Sequence, residues 1–423
     1  MTLRAVSTPW GLPYTAAPDS GLARQLPEVG ERSGRSSMKI GVPRPVASGE
    51  TRVALVPETF AKLKKAGYEV LVQQGAGQSA HYLDKDYQAA GATLVADAES
   101  LYHQADILVF SHTPTDEQIS SLEHGKVIIA PLSALTNHEV VRRLAAQNVT
   151  AFALELVPRI TRAQSMDILS SMSSLAGYRA VILGAAHLGR IFPMMMTAAG
   201  TITPAHVLIL GAGVAGLQAI ATAKRLGAVV EAFDVRPVVK EQVESLGARF
   251  VVVDAPQEDA QDKGGYAKEM SEAYKARQAE VLHKHVREND VVISTALIPG
   301  KPAPRLITAS MVRDMKPGAV IVDLAGEAGG NCELSRYGET VVENDVTILA
   351  PRNLPASLPY NASQAYAKNI LAFLLNMTKD GQITYKMDDE IVRETLVTKD
   401  GDIVAERVRK ALGIGDAIPM MAS

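Results

Sequence analysis

The sequence predicts an α/β protein of two doubly wound parallel-sheet domains with a cleft between them, and three observations predict it. Short runs rich in β-branched residues alternate with amphipathic stretches from Met38 to about residue 352. A glycine triplet stands between one such run and the helical stretch after it. At 423 residues and 47% hydrophobic, the chain can bury more core than one domain usually holds.

The first 37 residues stand apart. Pro9, Pro13, Pro18 and Pro27 lie among glycines, serines and scattered charges, with neither apolar periodicity nor the apolar core of a secretory signal. A disordered tail, or a start site placed too early, is expected for 1–37. From Met38, KIGVP reads as a strand and ETFAKLKKAGY as a helix closed by Gly67. EVLVQQG, DILVFS and KVIIAPLS read as further strands, NHEVVRRLAAQ as a helix, and TAFALELV as the strand that completes a third unit. Strands alternating with helices imply a parallel sheet joined by crossovers, so 38–170 is expected to form one α/β domain.

HVLILGAG opens a second series over 171–355, with later strands AVVEAFD, RFVVVD, DVVISTA, AVIVDLA and VTILAP. The helix SQAYAKNILAFLLNM follows and sets Tyr366, Ile370, Phe373 and Leu374 on one face, a pattern for packing back on the first domain. Residues 356–400 are expected to complete that domain, and 401–423 to form a tail.

Composition excludes several function classes. A net charge of −3 with 21% charged residues argues against a nucleic-acid surface. The single cysteine, Cys332, excludes a disulfide framework or a multi-thiolate metal site within one chain, and fits a reducing cytoplasm. No apolar run is long and uninterrupted enough to predict a transmembrane helix. His283 and His285 are two apart in a helical run and face different ways, so no metal site is expected. Met194, Met195 and Met196 are expected as core or dimer-interface filler.

The stretch VLILGAGVAGLQAIATAKRLGA is the most informative. Gly211, Gly213 and Gly216 give G-x-G-x-x-G directly after a strand and before a helix, the context of a Rossmann-like dinucleotide site. The first glycine permits the tight turn, the second lets the backbone approach a pyrophosphate, and the third lets helix and strand pack closely. Asp234 ends the next strand at the spacing of a ribose-binding acid. A carboxylate there accepts from a 2′-hydroxyl and repels a 2′-phosphate, so NAD(H) is favoured over NADP(H). Arg236, two residues on, can soften that repulsion.

Between the two domains lies PRITRAQSMDILSSMSSLAGYRAV, where a reactive ring would sit. Arg159, Gln164, Asp167 and Ser170 all offer hydrogen bonds there. Asp167 and Ser170, three apart, share a face of a helix. A helix N-cap at a solvated start is the plainer reading of the same spacing.

The runs RITRAQSMDILSS, AGYRAV, FPMMMTAAGT, GVAGLQAIATAKRLGA, KEQVESLGA, GGYAKEM, TALIPGKPAP and DLAGEAGGNCELS resemble the alanine dehydrogenase/transhydrogenase family. Within it they resemble the soluble NAD(H)-binding part of the alpha subunit of proton-translocating NAD(P) transhydrogenases, from Met38 to about residue 400. The resemblance implies that Arg159, Gln164 and Asp167, with Ser170 beside them, hold the nicotinamide and its ribose. It implies that Tyr266 belongs to a mobile loop that closes over the nucleotide; Gly264 and Gly265 give that stretch hinge freedom. Val214, Ala215, Ala296, Leu297 and Glu327 lie in the matching motifs and are implied to line the cofactor with the glycines. NADP(H)-binding and membrane subunits as partners, a homodimer, and a cytoplasmic place at the inner face of the membrane are implied too. The stretch ILGAAHLGR at 182–190 departs from the family pattern.

MKIGVPRPVASGETRVALVP also resembles the opening of alanine dehydrogenases, including Arg52 at a carboxylate-binding position. That activity needs a proton relay, supplied there by a lysine and a histidine. His112 and Ser133 stand at those two positions here, so the pair is broken. Hydride exchange between two nicotinamide rings moves no proton at the reacting carbons and asks only for positioning. Arg52 is read as scaffold in a salt bridge and His112 as a structural residue. An amino-acid dehydrogenase and an NAD-sensing module without chemistry are the alternatives.

Overall fold

The computed structural model describes residues 37–254, 271–298, 301–379 and 381–415. The expected N-terminal tail up to residue 36, Tyr266 with Gly264 and Gly265, and the last eight residues lie outside the described residues.

Six strands, β1 (Met38–Val42), β2 (Tyr68–Gln73), β3 (Thr93–Val95), β4 (Ile107–Val109), β5 (Val127–Ala130) and β6 (Thr150–Ala153), form a parallel sheet in the order β6-β5-β4-β1-β2-β3. Every residue of β4, β5 and β6 is buried, as a parallel strand covered on both faces requires. Gly67 takes the left-handed conformation (φ 94°) after the helix Phe60–Lys65, where a side chain would be strained.

A short exposed hairpin, β7 (Met195–Thr197) and β8 (Gly200–Ile202), precedes the second sheet. Met194 and Met196 are 61% and 78% exposed, which corrects the core alternative of the expectation for this run and leaves the interface one untested. The hairpin pairs only with itself and lays no face on either large sheet. The second sheet takes β9 (His206–Leu210), β10 (Val229–Phe233), β11 (Arg249–Phe250), β12 (Val291–Ser294), β13 (Val320–Asp323), β14 (Thr340–Glu343) and β15 (Val346–Leu349) in the order β11-β10-β9-β12-β13-β15-β14. All pairs are parallel except β14 with β15. The order runs outward from β9 in one direction through β10 and β11, then in the other through β12 and β13. Such a reversal leaves a crevice at the C-terminal ends of the strands.

The connecting helix Ile168–His187 is, among the described residues, long and apolar enough to cross a membrane by length and composition. Packing accounts for part of that apolar content: Gly177, Ala180, Val181 and Gly184 are buried, and a Cβ on Gly184 would stand 3.0 Å from Val291 of β12. The return helix Pro359–Met377 buries Tyr366, Ile370, Phe373 and Leu374 in the core under the first sheet, as the periodicity predicts. Its Tyr366 hydroxyl donates to the Phe110 carbonyl at 2.7 Å.

After this helix come a small ladder, β16 (Thr378–Lys379) with β17 (Gln382–Ile383), and then β18 (Leu396–Lys399), antiparallel to β6. β19 (Asp402–Ile403) pairs with β18, and the helix Glu406–Ala411 buries Val408 in the core beside it. The expected tail from 401 is therefore corrected as far as residue 411. Only Ile403, Ala405 and Val408 of that stretch are buried, too sparse a pattern among charges to read from sequence.

Candidate nucleotide site

The three glycines after β9 answer different demands. Gly211 has φ 96°, and a Cβ on it would lie 2.8 Å from the Thr295 hydroxyl. A Cβ on Gly216 would lie 1.8 Å from the Gly211 carbonyl oxygen. The turn and the packing of helix on strand thus require both. Gly213 answers to neither: its φ is −77°, and no described protein atom lies within 4 Å of where its Cβ would be. It is the N-cap of the glycine-loop helix Val214–Arg225 and makes no side-chain capping bond. The first-turn N–H groups around Val214 and Ala215, with the helix dipole behind them, form an anion site of the kind a pyrophosphate fills.

Asp234 follows β10 and is 9% exposed. Its Oδ2 accepts from the Ala212 N–H at 2.8 Å, which ties the acid to the glycine turn. Arg236 donates its backbone N–H and Nε to Oδ1, each at 2.9 Å, and its Nη2 to Oδ2 at 2.7 Å.

The loops after β12 and β13 reach the same strand ends. Asn331 is fully buried; its Oδ1 accepts from the Ala296 N–H at 3.1 Å, and its Nδ2 donates to the Ala296 and Pro304 carbonyls at 2.9 and 2.8 Å. Asp323, also fully buried, accepts from Ser294 Oγ and the Ala325 N–H through Oδ1, and from the Cys332 N–H and Ser335 Oγ through Oδ2. Between them these residues fix the loops that carry Ala296, Leu297 and Glu327, of which Leu297 and Glu327 are exposed. Sequence reasoning missed Asp323 and Asn331. The available signal was an acid ending an otherwise apolar strand and an asparagine directly after a glycine pair.

The polar segment before the connecting helix forms a 3-10 turn, Thr161–Met166, that leads into Asp167. Asp167 is the N-cap: its Oδ1 accepts from the Ser170 N–H at 3.0 Å and its Oδ2 from Ser170 Oγ at 2.5 Å. The structure thus brings Asp167 and Ser170 together in the plainer of the two arrangements. The side chains of Arg159 and Gln164 are exposed. Asn369 on the return helix donates to the Ser165 carbonyl at 2.8 Å, and Arg162 pairs with Asp389. A Cβ on Gly177 would lie 2.1 Å from the Ala215 carbonyl oxygen, so the connecting helix presses against the first turn of the glycine-loop helix.

In the first domain, Arg52 donates Nε and Nη2 to Glu50 at 2.8 and 2.5 Å, the salt bridge the sequence suggested. Asn353 adds a bond to Glu50 at 3.3 Å. His112 is buried, and among the described residues neither ring nitrogen meets a partner with hydrogen-bond geometry, although Gln118 lies beside it. Burial pushes its pKa below the ordinary value, against the nearby Glu50 carboxylate. Ser133 lies in a loop at φ 51°. His283 and His285 reach different partners, Asp314 at 2.7 Å and Glu231 at 2.6 Å.

Residues 41–176 match the family described as alanine dehydrogenase/PNT, N-terminal domain, and residues 180–406 match its C-terminal domain. A protein of Rhodospirillum rubrum, named as the first portion of NAD(P) transhydrogenase subunit alpha, is 53% identical over 376 residues, which span 87% of this chain and 98% of that protein. Alanine dehydrogenase of Mycobacterium tuberculosis is 32% identical over 384 residues, 89% of this chain and 97% of that one. The crystal structure of a transhydrogenase from Sinorhizobium meliloti is similar with a TM-score of 0.76 at 42% identity, over 86% of this chain and 98% of the other.

Proposed function

The chain belongs to the alanine dehydrogenase/PNT family, and from that premise we propose that it is the NAD(H)-binding subunit of a proton-translocating transhydrogenase, working with NADP(H) held on a partner subunit. Gly213 is the observation that carries the nucleotide reading. Neither the fold's packing nor its backbone angles demand a glycine there, whereas close approach of a pyrophosphate does. NAD(H), when bound, supplies or accepts the hydride.

The chain's own residues bind and orient. Gly211, Gly213, Val214, Ala215 and Gly216 take the pyrophosphate, and Asp234 takes the adenosine ribose with Arg236 beside it. Ala296, Leu297 and Glu327 line the nicotinamide side. Arg159, Gln164, Asp167 and Ser170 hold the nicotinamide and its ribose, and Tyr266 closes over them. These assignments follow the family motifs and the placement of most of these residues at the strand ends and at the start of the connecting helix.

Positioning is the chemistry that these residues can supply, because exchange between two nicotinamide carbons leaves no proton to move there. Amino-acid oxidation needs a relay, and His112, buried with a lowered pKa, stands where the resemblance puts a lysine in alanine dehydrogenases. Names of the nearer relatives include the words subunit alpha, which supports partner subunits for this chain; a place for those partners on the membrane and a peripheral cytoplasmic place for this chain follow the family resemblance alone. The exposed apolar hairpin, with Met194, Met195, Met196 and Ile202, supports a homodimer.

The test mixes the purified chain with the NADP(H)-binding and membrane subunits and follows hydride exchange between NADH and an NADP+ analogue. Exchange that needs both components is expected. Tight NADH binding without exchange would make the chain a sensor, and alanine-dependent NADH formation would make it a dehydrogenase.

A further inference from the structure

The turn Thr161–Met166, which carries Gln164, is tied down on both sides of that residue. Ala163 and Met166 sink into the core under the first sheet, while Arg162, Gln164 and Ser165 stay exposed. The Ser165 carbonyl, next to Gln164, accepts from Asn369 Nδ2 at 2.8 Å. Arg162, two residues before Gln164, donates both guanidinium Nη groups to Asp389, one of them at 3.3 Å. Asp389 is itself fixed. Its Oδ1 accepts from the Ile391 N–H at 2.9 Å as the cap of the helix Glu390–Thr395, and its Oδ2 from Asn376 Nδ2 at 3.0 Å. Asn369 and Asn376 stand seven apart, on one face of the return helix. The Arg162 guanidinium holds the Asp389 pKa down at about 2, so the pair is ionised at neutral pH.

Asn369 is 5% exposed, and its Oδ1 meets no hydrogen-bond partner among the described residues. A buried amide bonded on one side only lowers stability. Around it the helix buries Tyr366, Ile370 and Phe373, where an aliphatic side chain of similar size packs without that penalty. What the amide provides in return is the bond to Ser165. We propose that Asn369 and the Arg162–Asp389 pair are positioning residues that hold the turn in one orientation, so that they set the rate of hydride exchange and leave NADH affinity nearly unchanged. This rests on the reading of Gln164 as a group that orients the nicotinamide. With Arg162 and Ser165 both held, the backbone around Gln164 has little freedom to turn, and its side chain meets the ring from a fixed direction. Affinity draws mainly on the glycine loop and Asp234, which the angle of this turn does not touch. Transfer between two rings does depend on that angle, since a misplacement of about 1 Å costs about 100-fold in rate.

The test takes Asn369→Leu, Asp389→Asn and Gln164→Asn in the full chain. It measures unfolding temperature, NADH affinity by calorimetry and the fluorescence anisotropy of bound NADH, then hydride exchange once the NADP(H)-binding and membrane subunits are added. Asn369→Leu should keep or raise the unfolding temperature, bind NADH within about twofold of the parent chain and slow exchange about tenfold or more. Asp389→Asn, which keeps the helix cap but not the charge, should slow exchange likewise. Anisotropy should fall in both, because the ring is held less firmly, and it needs no partner subunit. Added to Gln164→Asn, Asn369→Leu should slow exchange by less than about twofold further, because it acts through that side chain. The full loss in that background overturns the proposal. So does a loss of exchange matched by a loss of affinity, or exchange and anisotropy that both stay at the parent values. Gln164→Asn exchanging at the parent rate would instead remove the reading of the turn. Should Asn369→Leu fail to fold, Asp389→Asn carries the same comparison.

Discussion

Gly177 on the connecting helix and Ala215 in the first turn of the glycine-loop helix meet backbone to backbone, and a Cβ on Gly177 would stand 2.1 Å from the Ala215 carbonyl oxygen. Gly177→Ala must push one helix away from the other. Thermal unfolding should show a loss of about 1–3 kcal/mol, and calorimetry a parallel loss of NADH affinity. Unchanged values of both would mean that the contact is not needed.

Gly213→Ala should separate the two effects. With φ at −77° and open space around its Cβ direction, alanine fits the backbone there. Stability should stay within about 1 kcal/mol of the parent, because the gain through the unfolded chain is offset by alanine's poorer fit at an N-cap, while NADH affinity falls sharply. A variant that binds NADH normally would sink the pyrophosphate assignment. Gly216→Ala, which would set its Cβ 1.8 Å from the Gly211 carbonyl, should lose stability and binding together.

Asn331→Ala leaves the Ala296 N–H and the Ala296 and Pro304 carbonyls without their buried partner. A cost of about 1–3 kcal/mol in urea unfolding is expected. Asn331→Asp should cost more, because a carboxylate would then face two carbonyls. A smaller loss for Asp than for Ala would show that Ala296 N–H is the only bond that matters.

Acid should weaken the second sheet through Glu231. Burial pushes this carboxyl up, but donation from His285, the Arg249 ion pair and Asn289 outweighs it and brings the pKa down to about 2. The folded value lies below the ordinary 4.5, so the contribution is complete above about pH 4.5 and is lost as pH falls toward 2. Urea unfolding across that window should show stability falling, with a shallower fall in Glu231→Gln. Equal slopes would refute the assignment.

Gln164 is exposed on its 3-10 turn. Gln164→Asn should leave the unfolding temperature unchanged and slow hydride exchange far more than it weakens NADH binding. A loss confined to the dissociation constant would place this residue in affinity rather than orientation.

What could be read from the sequence was whatever the backbone demands locally. The glycine turn, Asp234 at a strand end and the apolar face of the return helix are each legible within a window of some twenty residues. Asp323 and Asn331 were not, because their partners Ser294, Ala296 and Pro304 lie on a different loop, and nothing local marks a buried polar side chain as satisfied. Gly177 reads as a mere weak point in a helix until Ala215 is set against it. Asp167 supported two readings of one spacing, and the capping bond to Ser170 became visible only in three dimensions.

Asp167 at the head of the connecting helix and Gly177 within it are ten residues apart, so about 15 Å of rigid rise and a fixed rotation join the turn that ends at Asp167 to the first turn of the glycine-loop helix. The two halves are geared to each other. Inserting one residue between them would swing Gly177 by about 100° off Ala215; inserting four would nearly restore the phase but carry it about 6 Å along the axis. Length changes are therefore barred from this stretch, and any relative of this chain that accommodates a longer ligand must take up the difference in its loops.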